Sequence, residues 1–352
     1  MRRMPSPTTA APHRPPATVL VLLVSGALCG TLVACSPEQS SSPGTTTASS
    51  SASTSPVTVT HAMGTTTIPA DPGRIVSFSS AFTDAFSALG RPVDVEYRSD
   101  FYADAAPWEP TDVPESRTYP LGQVPDVEDV AAADPDVIFA GYLPDQATYD
   151  RLNKIAPTIA AVGGSTQTDS WRDATTVAGQ VLGKTAEAEK LIGDADAAFD
   201  ATTSKYPALD GATGAFGQIS GQGLAVVTGD TDPANEFLSR LGIVIPDNIR
   251  RASSDGSRAF ISEENTDLLD TDLLLMWPVG ITEADVPTKV RGWDDLRSVK
   301  NGSAFLADNT SAQSLGTPTI LSISWSLDKL DPVFAAVEQA ASTPSTPAGA
   351  GN

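Results

Sequence analysis

The sequence TAEAEKLIGDADAAFDATTSKY, residues 185–206, predicts one long amphipathic helix near the middle of the chain. Thr185 is a suitable N-cap residue, because its hydroxyl can accept a hydrogen bond from a free amide of the first turn, and Pro207 cannot continue the helix. Side chains spaced by three or four positions share one face: Leu191, Ala195, Phe199, Thr202 and Tyr206. A helix of roughly 20 residues spans about 30 Å, the width of a small domain. The segment is therefore either a surface helix of a single domain or a rigid connector between two lobes.

Alternating strand and helix patterns on both sides of this helix favour the connector. Buried-strand patterns occur before it at 75–78, 92–97, 137–140 and 158–162, and after it at 215–220, 224–227, 272–277 and 304–306. Such alternation is typical of sheets covered by helices. We therefore predict an α/β fold of two Rossmann-like αβ lobes, residues 57–184 and 207–340, joined by the long α-helix at 185–206. The ligand cleft is expected between the lobes.

Two further segments give less regular signals. Residues 98–124 are aromatic and show no periodic pattern, and long loops of this kind are usually functional or disordered. Residues 320–330 and 332–340 predict two closing helices, separated at Pro332. Residues 341–352 predict a disordered tail.

The composition excludes some classes of partner. The chain has 352 residues, enough for two ordinary domains, and 40% of them are apolar, enough for two cores. The formal net charge is −21. Proteins that bind nucleic acid need a basic surface, so no nucleic-acid partner is expected.

Residues 1–34 are typical of a bacterial lipoprotein signal peptide. Arginines precede a long apolar run, which ends in Leu-Val-Ala-Cys at 32–35. This tetrapeptide resembles a lipobox, whose cysteine is lipidated after cleavage, although a plain transmembrane anchor of this length is the alternative. Cys35 is therefore the expected lipidation site, and the Ser/Thr-rich residues 35–56 the expected disordered tether. The protein is expected outside the cytoplasm, on the outer face of the cell membrane.

Groups that carry catalysis are scarce in the chain. There is no Gly-x-Ser-x-Gly elbow and no phosphate-binding GK[ST] loop. His61 is the one histidine beyond the signal peptide, and no free thiol remains once Cys35 is lipidated. The sequence thus predicts a binding protein with no catalytic residues, no cofactor and no protein–metal site. The alternatives from other classes are a secreted α/β hydrolase and a surface adhesin.

Short motifs follow one another in a characteristic order from residue 57 to residue 340. They are Ile68-Pro69, Arg74-Ile75-Val76, Asp134-Pro135-Asp136-Val137-Ile138, Ala140-Gly141-Tyr142, Ile155-Ala156-Pro157-Thr158 and Pro233-Ala234-Asn235-Glu236-Phe237-Leu238. In order and spacing, the chain resembles the solute-binding proteins of iron–siderophore and cobalamin ABC importers. The resemblance implies a monomer that captures a ferric siderophore in the cleft and delivers it to the permease of an ABC transporter.

The resemblance also implies which side chains contact the ligand. In the first lobe they are Ser79, Phe82, Tyr97, Arg98, Trp108 and Tyr142. In the second lobe they are Trp277 and one of the three arginines Arg250, Arg251 and Arg258, and the sequence does not indicate which. Aromatic faces and arginine donors suit the oxygen-rich surface of such a chelate. Each residue also has a structural alternative: Ser79 is a possible N-cap, Tyr142 a possible turn residue, and Trp277 a possible core residue.

Two acidic residues match positions at which members of the family contact the permease. Glu128 lies in the first lobe and Glu236 in the second, and the alternative is that both are ordinary surface acids. Gln123 and the segment 314–317 lack the basic or aromatic side chains that the family often carries there. These departures favour a weakly charged hydroxamate over a catecholate, with cobalamin and haem as alternative ligands.

Overall fold

The computed structural model describes residues 55–343, except positions 103, 165–166, 222, 254–257 and 263–264. The predicted signal peptide, the lipidation site Cys35, nearly all of the tether and the tail from residue 344 lie outside the described residues. Within the described part of the chain, no helix combines the length and the apolar character needed to cross a membrane.

An antiparallel hairpin precedes the first lobe. It consists of β1 (Val57–His61) and β2 (Gly64–Ile68). Buried and exposed side chains alternate along both strands, as expected for a hairpin with one face on the protein. The Thr66 hydroxyl donates to the carbonyl oxygen of Thr158 at 3.0 Å, which attaches the hairpin to the first lobe.

The first lobe contains a five-stranded parallel sheet. Its strands are β3 (Ile75–Ser77), β4 (Val95–Ser99), β5 (Ser116–Tyr119), β6 (Val137–Gly141) and β7 (Thr158–Ala160), in the spatial order β5-β4-β3-β6-β7. Its helices are α1 (Ser80–Ala88), α2 (Val127–Ala132), α3 (Gln146–Leu152) and α4 (Trp171–Val181). The central strands β3 and β6 are buried at every position, as their mostly apolar sequences predict. The segment 98–124, for which no element was predicted, contains β5.

Helix α5 (Thr185–Lys205) connects the lobes, as predicted. The N-cap prediction for Thr185 is wrong, because Lys184 is the N-cap residue and no side chain caps the helix. The cause is the tight turn that ends α4: Gly183 has a φ of 64°, and the amide of Lys184 donates to the carbonyl of Gly179. The carbonyl of Lys184 already accepts the first α5 hydrogen bond, from Ala188.

The second lobe contains a mixed five-stranded sheet. Its strands are β8 (Gly214–Ser220), β9 (Gly223–Val227), β10 (Arg258–Ile261), β11 (Leu273–Val279) and β12 (Ala304–Leu306), in the order β10-β9-β8-β11-β12. Its helices are α6 (Pro233–Arg240), α7 (Asp247–Arg250), α8 (Val286–Lys289), α9 (Arg297–Asn301), α10 (Asn309–Gly316) and α11 (Ser322–Ser342). Strands β8, β11 and β12 are parallel, whereas β9 and β10 run antiparallel to their neighbours.

Helix α11 is continuous where the sequence predicted two helices. Pro332 lies inside it and lacks the amide that would complete the helical ladder. Buried side chains on both sides, Leu330 and Phe334, hold the helix against the core through this position. Asp331 adds hydrogen bonds from Lys205 (2.6 Å) and Tyr206 (2.9 Å) at the end of α5. The helix ends at Ser342, so it includes the first two residues of the predicted tail.

Candidate functional site

A pocket lies where the carboxyl ends of the first-lobe strands face the segment before α11. Its volume is about 130 Å³, and its lining combines residues 78–81, 141–142 and 167–169 of the first lobe with residues 317–318 of the second. Small-molecule sites are usually several hundred Å³. This pocket is therefore smaller than a site that would enclose a whole chelate.

Ser79 is held in place at the floor of this pocket. It is the N-cap residue of α1, so the structural alternative for Ser79 holds, and its hydroxyl also donates to Asp169 at 2.6 Å. The other Asp169 oxygen accepts from the amide of Val162 at 2.8 Å. Burial raises the pKa of Asp169 to about 6. Gly141 is needed beside them, because it has a φ of 61° and a Cβ there would lie 2.8 Å from Asp169.

The structure brings Tyr142 to the pocket but not Phe82. Tyr142 follows β6 with 47% of its surface exposed, in a position to contact a ligand. Phe82 has no exposed surface, and its ring packs 4.5 Å from that of Phe139 in the core. The prediction of Phe82 as a ligand contact is therefore contradicted in this conformation, because the apolar face of α1 points to the sheet.

Tyr97 does not line the pocket but packs against a residue that does. It is almost fully buried, its ring meets that of Phe78 edge-on at 5.2 Å, and its hydroxyl accepts from Arg117 at 2.8 Å. Burial, with the nearby Asp129, raises the pKa of Tyr97 to about 12. Tyr97 thus orients Phe78, which lines the pocket.

Arg98 and Glu109 form a largely buried ion pair at 2.6 Å. Glu109 also accepts hydrogen bonds from the amide of Ala106 (2.9 Å) and from Gln313 of α10 (3.3 Å), so it touches both lobes. Burial raises the pKa of the neighbouring Glu96 and raises that of Asp84 to about 8.

Two aromatic pairs connect the lobes across the cleft. Trp108 of the first lobe lies 4.8 Å from Trp325 of α11, between ring centroids. Phe101 meets Trp277 edge-on at 5.9 Å, and the indole of Trp277 donates to Asn309 at 3.0 Å. Trp108 and Trp277 are therefore half-buried between the lobes, and their contact with a ligand stays a prediction.

The three predicted arginines of the second lobe differ in their partners. Arg250 pairs with Asp230 at 2.9 Å, and the exposed Arg251 pairs with Asp247 of its own helix at 3.2 Å. Arg258 donates to Gln218 at 2.7 Å, and within the described residues no carboxylate lies in salt-bridge range of it. Its charge also acts on the hydroxyl of Tyr102, across the cleft. Arg258 is therefore the arginine of the three that suits an incoming ligand.

Glu128 and Glu236 are exposed in the first turns of α2 and α6. A carboxylate in a first turn suits the helix dipole and needs no permease to explain it. Among the described residues, no three His, Cys, Asp or Glu side chains are grouped to bind a metal ion.

Several cleft residues were not identified from the sequence. Glu109, Gln313 and Trp325 lie in the irregular segment or in helices of the second lobe, and they reach the cleft only through tertiary packing. Asp169 precedes the Ser170 N-cap of α4, so a helix-start signal marks its neighbourhood but not its contact with Ser79.

Comparisons with known proteins agree with this architecture. A family model described as periplasmic binding protein matches residues 75–309. The probable siderophore-binding lipoprotein YfiY of Bacillus subtilis (strain 168) is 27% identical over 293 residues, which cover 79% of this chain and 87% of that protein. The Fe(3+)-citrate-binding protein YfmC of the same organism is 24% identical over 247 residues, covering 70% and 76%.

Solved structures show the same fold. A periplasmic solute binding protein from Mycobacterium smegmatis str. MC2 155 has a TM-score of 0.66 and 25% identity, covering 80% of this chain and 99% of that one. PiaA of Streptococcus pneumoniae TIGR4, in complex with ferrichrome, has a TM-score of 0.65 and 24% identity, with the same coverage.

Proposed function

The chain belongs to the periplasmic binding protein family, and we propose that it captures a ferric siderophore outside the cytoplasm and delivers it to an ABC importer. It is a substrate-binding protein and not an enzyme. The observation that carries the proposal is the set of aromatic side chains between the lobes: Tyr142 is exposed at the pocket, and Trp108 and Trp277 each pack on an aromatic ring of the opposite lobe. The side chain of Arg258 is exposed in the second lobe. Aromatic faces and an arginine suit a rounded, oxygen-rich chelate.

The preferred cargo in this proposal is a ferric hydroxamate. Gln123 and the segment 314–317 offer no cation, and Ser314 and Leu315 are buried in α10. A strongly anionic catecholate would need such cations. Among proteins of this fold, PiaA has been crystallised with ferrichrome and SirA of Staphylococcus aureus with staphyloferrin B, so the fold itself does not select the cargo.

The proposal places the protein on the membrane as a monomer held through a lipid on Cys35. The lipobox supports this anchor, and relatives in Bacillus subtilis are named as lipoproteins. Glu128 and Glu236 are proposed to contact the permease, one from each lobe. Two exposed acids at separate lobes would set the orientation of docking.

Tryptophan fluorescence tests the proposed function directly. Three of the five tryptophans, Trp108, Trp277 and Trp325, lie at the cleft. We expect a ferric hydroxamate to quench the fluorescence of the purified protein with a Kd at or below about 1 μM. The metal-free hydroxamate is the control for binding that does not depend on iron.

A panel of ligands decides between the alternatives. Ferric catecholates, haem and cobalamin are titrated in parallel with the hydroxamates. Tight binding of haem or cobalamin, without binding of any ferric siderophore, would support one of these alternative ligands. No response to any ferric chelate would contradict the siderophore proposal.

A further inference from the structure

The buried arginine of the cleft is already neutralised by the protein itself. The side chains of Arg98 and Glu109 are only 15% and 10% exposed, and they pair at 2.6 Å. Both carboxylate oxygens of Glu109 are used, one by Arg98 and Gln313 and the other by the amide of Ala106. The Nε of Arg98 is buried and has no partner among the described residues. Glu109 thus holds the arginine without saturating its donors.

The charges around this pair are unfavourable to an anion. Asp84 and Glu96 both lie close enough to act on Arg98, and no further cation takes part in their described surroundings. Lys329, which lies 5.9 Å from the ring of Trp325, and Arg258 of the second lobe are both exposed to solvent, so neither adds a buried positive charge. One buried positive charge is therefore set against the carboxylates of Glu109 and Glu96, while Asp84 is mostly protonated at neutral pH.

The position of Glu109 allows it to affect which ligands bind between the lobes. The preceding residue, Trp108, packs on Trp325, and Gln313 binds Glu109 from the second lobe, so the carboxylate lies between the lobes. An anionic chelate must either displace Glu109 from Arg98 or approach a fixed negative charge. Displacement leaves a carboxylate in a poorly solvated place, which is costly. A neutral or cationic chelate meets neither penalty.

We propose that Glu109 is a specificity-determining residue, which makes the cleft select ferric chelates without net negative charge. This inference rests on the proposed function and narrows its substrate class. A ferric trihydroxamate is neutral at its iron centre, and a pendant ammonium makes it cationic. Trp108 and Trp325, next to Glu109, provide faces for such a cation.

Three chelates that share one iron centre and differ at one terminal group test the inference. They are one linear ferric trihydroxamate ending in an ammonium group, the same chelate with the amine acetylated, and the same chelate with the amine succinylated to give a carboxylate. At low salt, we expect the wild-type protein to bind the succinylated form at least about tenfold more weakly than the other two.

Glu109→Gln is the decisive variant. It keeps the shape of the side chain and an acceptor for Gln313, but it removes the charge and frees Arg98. We expect the succinylated chelate to gain about tenfold in affinity, so that most of the discrimination is lost. In the double variant with Arg98→Gln, this gain should disappear, because the arginine that would receive the carboxylate is absent.

Glu115→Gln is the matched control. Glu115 also pairs with an arginine of the first lobe, Arg117 at 2.6 Å, but the pair is on the outer part of the sheet and more exposed. Its loss should leave the order of the three chelates unchanged, and thermal unfolding verifies that each variant is folded. Equal wild-type affinity for all three chelates, or unchanged discrimination in Glu109→Gln, would overturn the role of Glu109 and leave siderophore capture intact. Failure of all three chelates to bind would overturn capture of ferric hydroxamates and this inference together.

Discussion

Asp84 is a carboxylic acid buried at the junction of the lobes. It lies on α1, is 2% exposed, and accepts a hydrogen bond from the hydroxyl of Thr319, just before α11. Burial is the main cause that raises its pKa to about 8, and the negative charges of Glu109 and Glu96 act in the same direction. The group is therefore mostly protonated at neutral pH.

The raised pKa makes the stability of the protein depend on pH. Because the folded-state pKa lies above the ordinary value of 3.8, the folded state binds more protons between these limits. The contribution of Asp84 to stability is thus fully present below about pH 4 and is lost as the pH rises towards about 8. Asp84→Asn keeps an acceptor for Thr319 and carries no charge, so it should remove this loss.

Urea unfolding of the wild type and Asp84→Asn, at about pH 5 and about pH 8, measures the effect. The difference in unfolding free energy should shift in favour of the variant as the pH rises. Other carboxylates titrate in both proteins, so the difference between the two isolates Asp84. Parallel pH profiles for the two proteins would show that Asp84 ionises normally.

The sequence could predict the position of a residue relative to the cleft when that residue lies in or next to a strand. Tyr142 follows a strongly apolar strand and Trp277 lies within one, so their positions near the cleft follow from the parallel sheet. Phe82 was placed wrongly because a loop that starts at the cleft continues into α1, whose apolar face points into the core. Glu109 could not be placed at all, because its partners Arg98 and Gln313 are brought to it only by the fold.

At the scale of elements, α5 is tied to both lobes through one carboxylate. Asp196 accepts hydrogen bonds from Arg172 of α4, at 2.9 and 2.6 Å, and from Arg240 of α6, at 2.7 Å. Phe199, one turn further along, packs edge-on against Phe237 of α6 at 5.1 Å. The polar and the apolar contact together fix the angle between the connecting helix and each lobe.

Removing this carboxylate should loosen the connection. We expect Asp196→Ala to lower the unfolding free energy by only about 1 kcal/mol, because the three side chains are partly exposed. The distribution of distances between two spin labels, one on each lobe, should become broader. Asp194→Ala is the control, since Asp194 pairs with Lys190 on the exposed face of the same helix. Equal distributions in the two variants would contradict a role for Asp196 in orienting the lobes.

Most elements with a strong apolar pattern were predictable, and the exceptions have physical causes. The strands β6 and β11 carry unbroken apolar runs that are typical of buried strands. Strand β10 was missed because it has only four residues, and its pairing depends on the antiparallel β9. The sequence predicted two helices in place of α11, because Pro332 lacks the amide that a helix needs. The buried side chains on either side of Pro332, which hold the helix together, are apparent only in the fold.

At the scale of the whole molecule, the proposed docking acids must act separately from the cleft. Glu128 and Glu236 are exposed on different lobes, and neither lines the pocket. Reversal of both charges, Glu128→Lys with Glu236→Lys, should abolish uptake of the ferric siderophore by cells. Such a change acts on recognition of the permease through charge complementarity.

The same double variant should bind the ligand in solution with unchanged affinity, measured by fluorescence titration. Glu187→Lys with Glu189→Lys provides a control with the same change in net charge, on the connecting helix. A change in ligand affinity, or equal loss of uptake in the control, would argue against docking through Glu128 and Glu236.

The aromatic pairs that close the cleft have a consequence for the thermodynamics of loading. In the empty protein, Trp108 is covered by Trp325, and Phe101 by Trp277, so apolar surface there is already shielded from water. A chelate that inserts between these rings exchanges one covering for another and dehydrates little new apolar surface. The heat-capacity change on binding should therefore be small, because that quantity follows the apolar area removed from water. The enthalpy of capture would then vary little between a cold and a warm environment.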